Sequence, residues 1–199
     1  GKRIGTFKSY YQIEDAKVLK DKQPGVTEIP VKSIGFYKNN KKSGKWKQFY
    51  ANGTLKLESQ FKGGLLHGKW INYYKNGQIK TKGKYRKSDL HGRYIDYLEN
   101  GQTLNISKYR KGKLNGKNEK YTFEGKLKIV RYYKKDKLHG KYISYYTDTP
   151  NLQISESKKY KNGDIHGIMK FYRKNGWMVA KVLYKKGKTI WRQSGMQSA

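Results

Sequence analysis

From Leu55 to Lys62 the chain alternates apolar or small residues (Leu55, Leu57, Ser59, Phe61) with polar ones (Lys56, Glu58, Gln60, Lys62). That period of two is the pattern of a β-strand with one apolar and one charged face. The pattern belongs to a repeat. Gly44, Gly68, Gly92, Gly116 and Gly140 stand 24 residues apart, and Gly167 follows after a three-residue insertion near Thr147–Asn151. Nine residues beyond the repeat glycine comes a second one, at Gly53, Gly77, Gly101, Gly125 and Gly176, preceded by Asn52, Asn76, Asn100 and Asn175, with Glu124 as the exception. Asn-Gly between alternating runs predicts a two-residue type I′ hairpin turn, which needs positive φ at both central positions. A second turn precedes the repeat glycine, in the slot shared by Asn40, Gly64, Ser88, Gly112, Asp136, Gly163 and Gly187. The unit therefore reads strand, Asn-Gly turn, strand, Gly-containing turn.

Aromatic residues keep the same register. The last inward position of the second strand is Tyr37, Phe61, Tyr85, Tyr109, Tyr133, Tyr160 and Tyr184, which predicts a stacking ladder. Two residues after the repeat glycine stand Trp46, Trp70, Tyr94 and Tyr142, and five after it stand Phe49, Tyr73, Tyr97, Tyr121, Tyr145 and Tyr172. Two and five differ in parity, so in an unbulged strand these two sets point to opposite faces.

The expected organisation is an N-terminal cap or irregular segment over 1–24, a repeat domain over 25–190 and a tail over 191–199. The domain comprises a half-repeat at 25–43 and units starting at 44, 68, 92, 116, 140 and 167. The fold class is all-β, a meander of tandem hairpins. Roughly 13 strands at about 4.8 Å spacing make it elongated, about 60 Å long.

Composition changes this picture in one direction. The hydrophobic fraction is 35% and the charged fraction 30%, which excludes a thick aliphatic core, while regularly spaced aromatics at 15% argue against disorder. The net charge of +32 predicts attraction to polyanions. Only seven of the 46 basic residues are arginine. Lysine lacks the planar fork that reads guanine, so diffuse attraction is expected rather than sequence-specific nucleic-acid recognition. There is no cysteine, which removes disulfides, thiolate metal sites and a cysteine nucleophile. No apolar run reaches the roughly 18 residues of a transmembrane segment. The chain begins Gly1-Lys2-Arg3 without an initiator methionine, and this, with the missing cysteines, leans toward an exported protein.

Candidate chemistry is sparse. His67, His91, His139 and His166 share one repeat slot, but equivalent residues one repeat apart lie about 9.6 Å apart, whereas ligands of one zinc lie within about 4 Å of each other. No metal site is expected, and the histidines read as turn caps. The 14 acids recur beside no histidine or serine in a catalytic arrangement, and no phosphate-binding loop is present. Neither an enzyme nor a cofactor is predicted. The candidate binding surface is Trp46, Trp70, Tyr94, Tyr142, Tyr73, Tyr97 and Tyr145 with Lys45, Lys69, Arg93, Lys117 and Lys141, where lysines hold anionic groups and aromatics stack.

The segments Tyr160–Gly167 (Tyr-Lys-Asn-Gly-Asp-Ile-His-Gly), Phe61–Trp70 and Tyr73–Ile79 (Tyr-Tyr-Lys-Asn-Gly-Gln-Ile) resemble the MORN repeat in its bacterial variant form. The resemblance covers about residues 31–190 and implies hairpins stacked into a twisted single sheet. It also implies a membrane-proximal or protein-binding scaffold, or an antitoxin or immunity protein. The expected function is a non-enzymatic scaffold that binds a macromolecular partner, another protein in the first place, through an aromatic-lined basic surface. Two alternatives stay open: an antitoxin that blocks a toxin by surface complementarity, and a peripheral tether to anionic lipid or another polyanion.

Overall fold

The computed structural model describes residues 1–12 and 30–195. The part of the expected cap from residue 13, the first residues of the half-repeat (25–29) and the end of the tail (196–199) lie outside the described residues. The chain divides into two compact units, Gly1–Gly101 and Gln102–Ala199. Among the described residues there are strands and turns and no helix, so none is long and apolar enough to cross a membrane.

The first unit contains β1 (Gly5–Tyr10), β2 (Val31–Lys38), β3 (Lys41–Phe49), β4 (Leu55–Lys62), β5 (Leu65–Tyr73), β6 (Ile79–Arg86), β7 (Asp89–Leu90) and β8 (Gly92–Tyr97). Each strand from β2 to β6 pairs antiparallel with the one before it, and β7 and β8 together continue along β6. The second unit contains β9 (Thr103–Arg110), β10 (Lys113–Tyr121), β11 (Leu127–Lys134), β12 (Lys137–Tyr145), β13 (Ile154–Lys161), β14 (Asp164–Ile165), β15 (Gly167–Tyr172), β16 (Met178–Lys185) and β17 (Lys188–Ser194). It has the same meander, with β14 and β15 both lying on β13. The hairpin meander is as expected from the alternation. β17 runs through position 190 to Ser194, so a strand occupies part of the segment read as a tail.

The turns exchange the geometries expected of them. The Asn-Gly turns are not type I′, because Asn52, Asn76, Asn100 and Asn175 keep negative φ and only the following glycines are left-handed. At the first of them Gly53 N–H donates to Tyr50 O (2.9 Å) and Tyr50 N–H donates to Thr54 O (2.8 Å), the longer type I turn closed by a left-handed glycine. The asparagine contributes a side-chain acceptor instead: Asn52 Oδ1 takes the Thr54 N–H (3.1 Å), Asn76 Oδ1 that of Gln78 (2.9 Å), and Asn175 Oδ1 that of Trp177 (3.2 Å).

Positive φ at both central residues belongs to the other turn, as at Asn39–Asn40 (51° and 63°), Lys87–Ser88 (53° and 66°) and Lys135–Asp136 (50° and 67°). A lysine in the left-handed region costs about 1 kcal/mol, which glycine and asparagine largely avoid. Lys135→Asn is therefore expected to raise stability by about 0.5–1 kcal/mol in urea unfolding followed by circular dichroism. An unchanged midpoint would mean that the turn carries no such strain.

The repeat glycine has its own purpose. Gly44, Gly68, Gly92, Gly116, Gly140 and Gly167 all have positive φ, from 67° to 115°. On β3 the register steps from Phe36↔Ser43 to Gly35↔Trp46, leaving Gly44 and Lys45 without partners on β2 while they pair Phe61 and Gln60 on β4. The defining glycine thus makes a bulge inside the strand, where a residue with a Cβ is strained.

Among the described residues strong contacts join sheet neighbours only, so their stability rests on cross-strand packing. The buried apolar residues among those described are few: Trp46, Ile71, Ile95, Val130, Met169 and Val182.

Candidate functional site

Cross-strand pairing assigns every candidate residue to a face, because directly opposed residues share one. Trp46 lies opposite Gly35 on one side and Ser59 on the other, and Trp70 lies opposite Ser59 and Gly83. Leu57, Ser59 and Phe61 alternate on this same side of β4, which we term the ladder face. Leu55 leaves that row, because a one-residue bulge sets it opposite Phe49 while Gln48 stays opposite Leu57.

On the other side Lys45 faces Gln60, Lys47 faces Glu58, and Glu58 faces Ile71. Lys69 faces Lys84, Lys117 faces Tyr132 and Lys141 faces Lys159. This is the lysine face. Tyr73 belongs to it, donating its hydroxyl to Glu58 Oε2 (3.4 Å), and so does Tyr97, whose ring lies 5.1 Å from Lys82 Nζ. Tyr145 follows Lys141 and Ile143 by alternation along β12.

The twelve residues read as one surface therefore separate. Lys45, Lys69, Arg93, Lys117 and Lys141 are exposed and share their face with half-buried Tyr73, Tyr97 and Tyr145. Trp46, Trp70, Tyr94 and Tyr142 lie on the opposite face, and Trp46 is only 6% exposed. A small residue across from the first three rings explains the difference: a Cβ built on Gly35 would lie 2.0 Å from the Trp46 ring, and one on Gly83 would lie 2.8 Å from Tyr94, whereas Tyr142 faces Arg131 and Lys158. The ring lies flat over the neighbouring backbone and is part of the packing.

The ladder itself is interleaved. Tyr37 and Phe61 are two strands apart, about 9.6 Å, too far for ring contact, and Trp46 bridges them with centroids 5.1 Å from Tyr37 and 6.2 Å from Phe61, both edge-on. Trp70 meets Tyr85 in the same way (6.1 Å), and Tyr142 meets Tyr160 (6.0 Å). Tyr109, Tyr133 and Tyr184 keep the slot on β9, β11 and β16, opposite Leu114, Leu138 and Thr189. Cations cover the rings, with Lys42 Nζ 4.4 Å from the Trp46 centroid and Lys158 Nζ 4.6 Å from that of Tyr142.

Burial on the ladder face pushes the phenols of Tyr85 and Tyr142 above their ordinary value, and burial followed by the Glu58 charge does so for Tyr73. Burial pulls the Lys158 ammonium down, but its hydrogen bond and ion pair with Glu156 outweigh this and leave it raised. A raised folded-state pKa gives stability that is complete below the unfolded value and lost as pH rises through the folded one. All four groups act in the same alkaline window, above about pH 10. Phenolate absorbance is expected to show a fraction of the tyrosines ionising only together with loss of the β-sheet signal. Complete ionisation before any unfolding would contradict the assignment.

Sequence reasoning missed a second set of tyrosines. Tyr50 donates its hydroxyl to Tyr73 O (2.8 Å), Tyr74 to Tyr97 O (2.8 Å), Tyr146 to Tyr172 O (2.7 Å) and Tyr11 to Phe49 O (2.6 Å). Each pins one hairpin end to the next repeat's backbone. The signal was the aromatic doublet Phe49-Tyr50, Tyr73-Tyr74 and Tyr145-Tyr146.

The histidines sit beside turns: His91 and His166 donate backbone N–H groups to Lys84 O and Lys159 O, and His139 Nδ1 accepts from Asn162 N–H (3.3 Å). Among the described residues no three histidine or acidic side chains gather as metal ligands.

No curated protein matches the chain. The family model described as MORN repeat variant matches residues 42–62, 66–87 and 165–186. Each match spans the same structural segment, β3 to β4, β5 to β6, and β14 to β16, a strand pair joined by its Asn-Gly turn. The matched windows thus recur in both units on the hairpin that the described strands reiterate, and the chain carries MORN repeats of the variant form.

Proposed function

We propose that the protein is a non-enzymatic scaffold that binds an acidic macromolecular partner, in the first place another protein, through its lysine face. The supporting observation is the slot directly after the repeat glycine, filled in succession by Lys45, Lys69, Arg93, Lys117 and Lys141, all exposed. Two of these have a carboxylate neighbour, Glu58 at 4.0 Å from Lys69 and Glu119 at 2.6 Å from Lys117. Solubility asks for a net charge of about 2–8 on a small domain, and this chain carries +32. Beside the cations, half-buried tyrosines offer flat apolar area at low entropic cost. Lysine heads on flexible stems suit diffuse attraction to carboxylates more than bidentate clamping of one ligand.

The test titrates the full chain with polyglutamate, a single-stranded oligonucleotide and anionic-lipid vesicles over a salt series. Polyglutamate is expected to bind at low salt and to weaken steeply with added salt. The variant Lys45→Glu/Lys69→Glu/Arg93→Glu, with unchanged circular dichroism, should lose at least about tenfold in affinity, since close charge pairs couple by 1.5 kcal/mol or more. Tighter binding of the oligonucleotide or the vesicles overturns the protein partner. Binding of none of the three overturns the charge argument.

A further inference from the structure

Two depressions on the lysine face occupy the same place in the repeat, one in each unit. The first, of about 310 Å³, lies over β3, β4 and β5, and the second, of about 480 Å³, over β12, β13 and β15. Their linings correspond slot by slot: Lys45 with Lys141, Lys47 with Ile143, Glu58 with Ser157, Gln60 with Lys159, and Lys69 with Ile168. The first holds its own carboxylate, shared by two of its three lysines. The Glu58 carboxylate lies 3.9 Å from Lys47 Nζ and 4.0 Å from Lys69 Nζ, and it accepts the Tyr73 hydroxyl at 3.4 Å.

The second has Ser157 where that carboxylate stands, and it gathers cations. Lys141 lies directly opposite Lys159, Ser157 directly opposite Lys170, and Lys170 directly opposite Lys181. Like charges facing each other across strands are destabilising. None of the four lysines makes an ion pair among the described residues. The adjacent acid, Glu156, pairs with Lys158 on the ladder face. Between the lysines, Ile143, Ile154 and Ile168 form apolar walls, and Ile168 is 44% exposed.

We propose that the second depression receives the carboxylate of a glutamate or aspartate side chain from an acidic protein segment, in the position Glu58 fills within the first unit. The inference rests on the lysine-face reading above and names its recognition chemistry. A carboxylate at Ser157 faces Lys170 and relieves the Lys141–Lys159 pair that lines the depression, and the methylenes that carry it lie on the isoleucine walls. A phosphodiester chain would satisfy the lysines and leave Ile168 uncovered.

The test exchanges the two slots in the full-length chain, with polyglutamate as probe. Ser157→Glu reproduces Glu58 and is expected to weaken polyglutamate binding about tenfold, the loss of one close charge-pair site. The same variant should melt at a higher temperature in low salt, with the gain removed by high salt. Ser157→Ala should leave the affinity unchanged, and Glu58→Ser should strengthen binding by opening the first depression. Should Ser157→Glu fail to fold, Lys159→Ser/Lys170→Ser tests the same site and should lose affinity to the same extent.

Wild-type affinity in Ser157→Glu overturns this inference while leaving the broader one intact, provided the Lys45/Lys69/Arg93 variant has lost binding. An oligonucleotide that binds more tightly than polyglutamate and loses as much on Ser157→Glu overturns the carboxylate assignment. Absence of polyglutamate binding to the wild type overturns both readings.

Discussion

Trp46→Ala is expected to lose about 3–5 kcal/mol of stability, the cost of deleting a buried aromatic. Trp46 is 6% exposed. Its ring bridges Tyr37 and Phe61, its indole N–H donates to Phe36 O (3.2 Å), and Lys42 lies over it. Truncation removes the ring that joins three strands of the ladder face. Because domains of this size are stable by only about 5–15 kcal/mol, the variant should melt far below the wild type.

Gly35→Ala approaches the same contact from below. Its Cβ would stand 2.0 Å from the Trp46 ring, so the ring must lift, at about 1–3 kcal/mol for overpacking. The double variant should cost less than the sum, since an alanine at 35 has no ring to collide with once Trp46 is gone. Urea unfolding of the three variants checks this. Additive losses, or a Trp46→Ala cost below about 1 kcal/mol, would mean that the ladder face is not where the unit is held together.

The contrast between Trp46 and Tyr73 shows what sequence can and cannot convey here. Periodicity placed both in the repeat and parity put them on opposite faces, since a spacing of three residues must change sides. What parity lacks is a sign. The sign comes from the residues across the strand, Gly35 and Ser59 for Trp46 and the Lys47–Glu58 row for Tyr73. Those partners are fixed by the register, which the bulge at Gly44 shifts. The turns misled for a related reason. Asn-Gly serves both as a two-residue I′ turn and as the end of a type I turn with a left-handed glycine, and only loop length separates them. Lys87–Ser88 and Lys135–Asp136 occupy the slot read as a turn without the Asn-Gly or Gly that signals I′ geometry, and adopt it because strands anchored on both sides leave room for only two residues. Depressions on the lysine face were illegible, since they depend on which side chains share a row across three strands.

The second large loss is expected at Asn118, where the repeat abandons its own rule. The slot that holds Trp46, Trp70, Tyr94 and Tyr142 holds an asparagine in this unit, and the small residue across from it is replaced by Arg131. Asn118 is 4% exposed. Its Nδ2 donates to Asn105 Oδ1 (2.7 Å), Ser107 Oγ (2.9 Å) and Ile106 O (3.2 Å), while its Oδ1 accepts from Arg131 Nε (2.8 Å). Asn118 supplies Arg131 with an acceptor that a ring in this slot would lack, so the two departures compensate each other. Asn118→Ala removes the acceptor from a partly buried cation and a donor shared by three oxygens, and hydrogen bonds to charged groups contribute about 1.5–3 kcal/mol each. A loss of about 3 kcal/mol follows, close to the cost of breaking a buried ionic contact. Asn118→Tyr alone should be as damaging, because it leaves Arg131 without its acceptor and puts a ring where the polar network with Asn105 and Ser107 stood. Asn118→Tyr/Arg131→Gly restores the cross-strand pair of a ring and a glycine seen at Trp70 and Gly83, and should regain most of the stability. Chemical denaturation of the single and double variants decides the point: a double variant no more stable than Asn118→Tyr would mean that the polar network, and not the exchange of ring for guanidinium, sets the packing of this repeat.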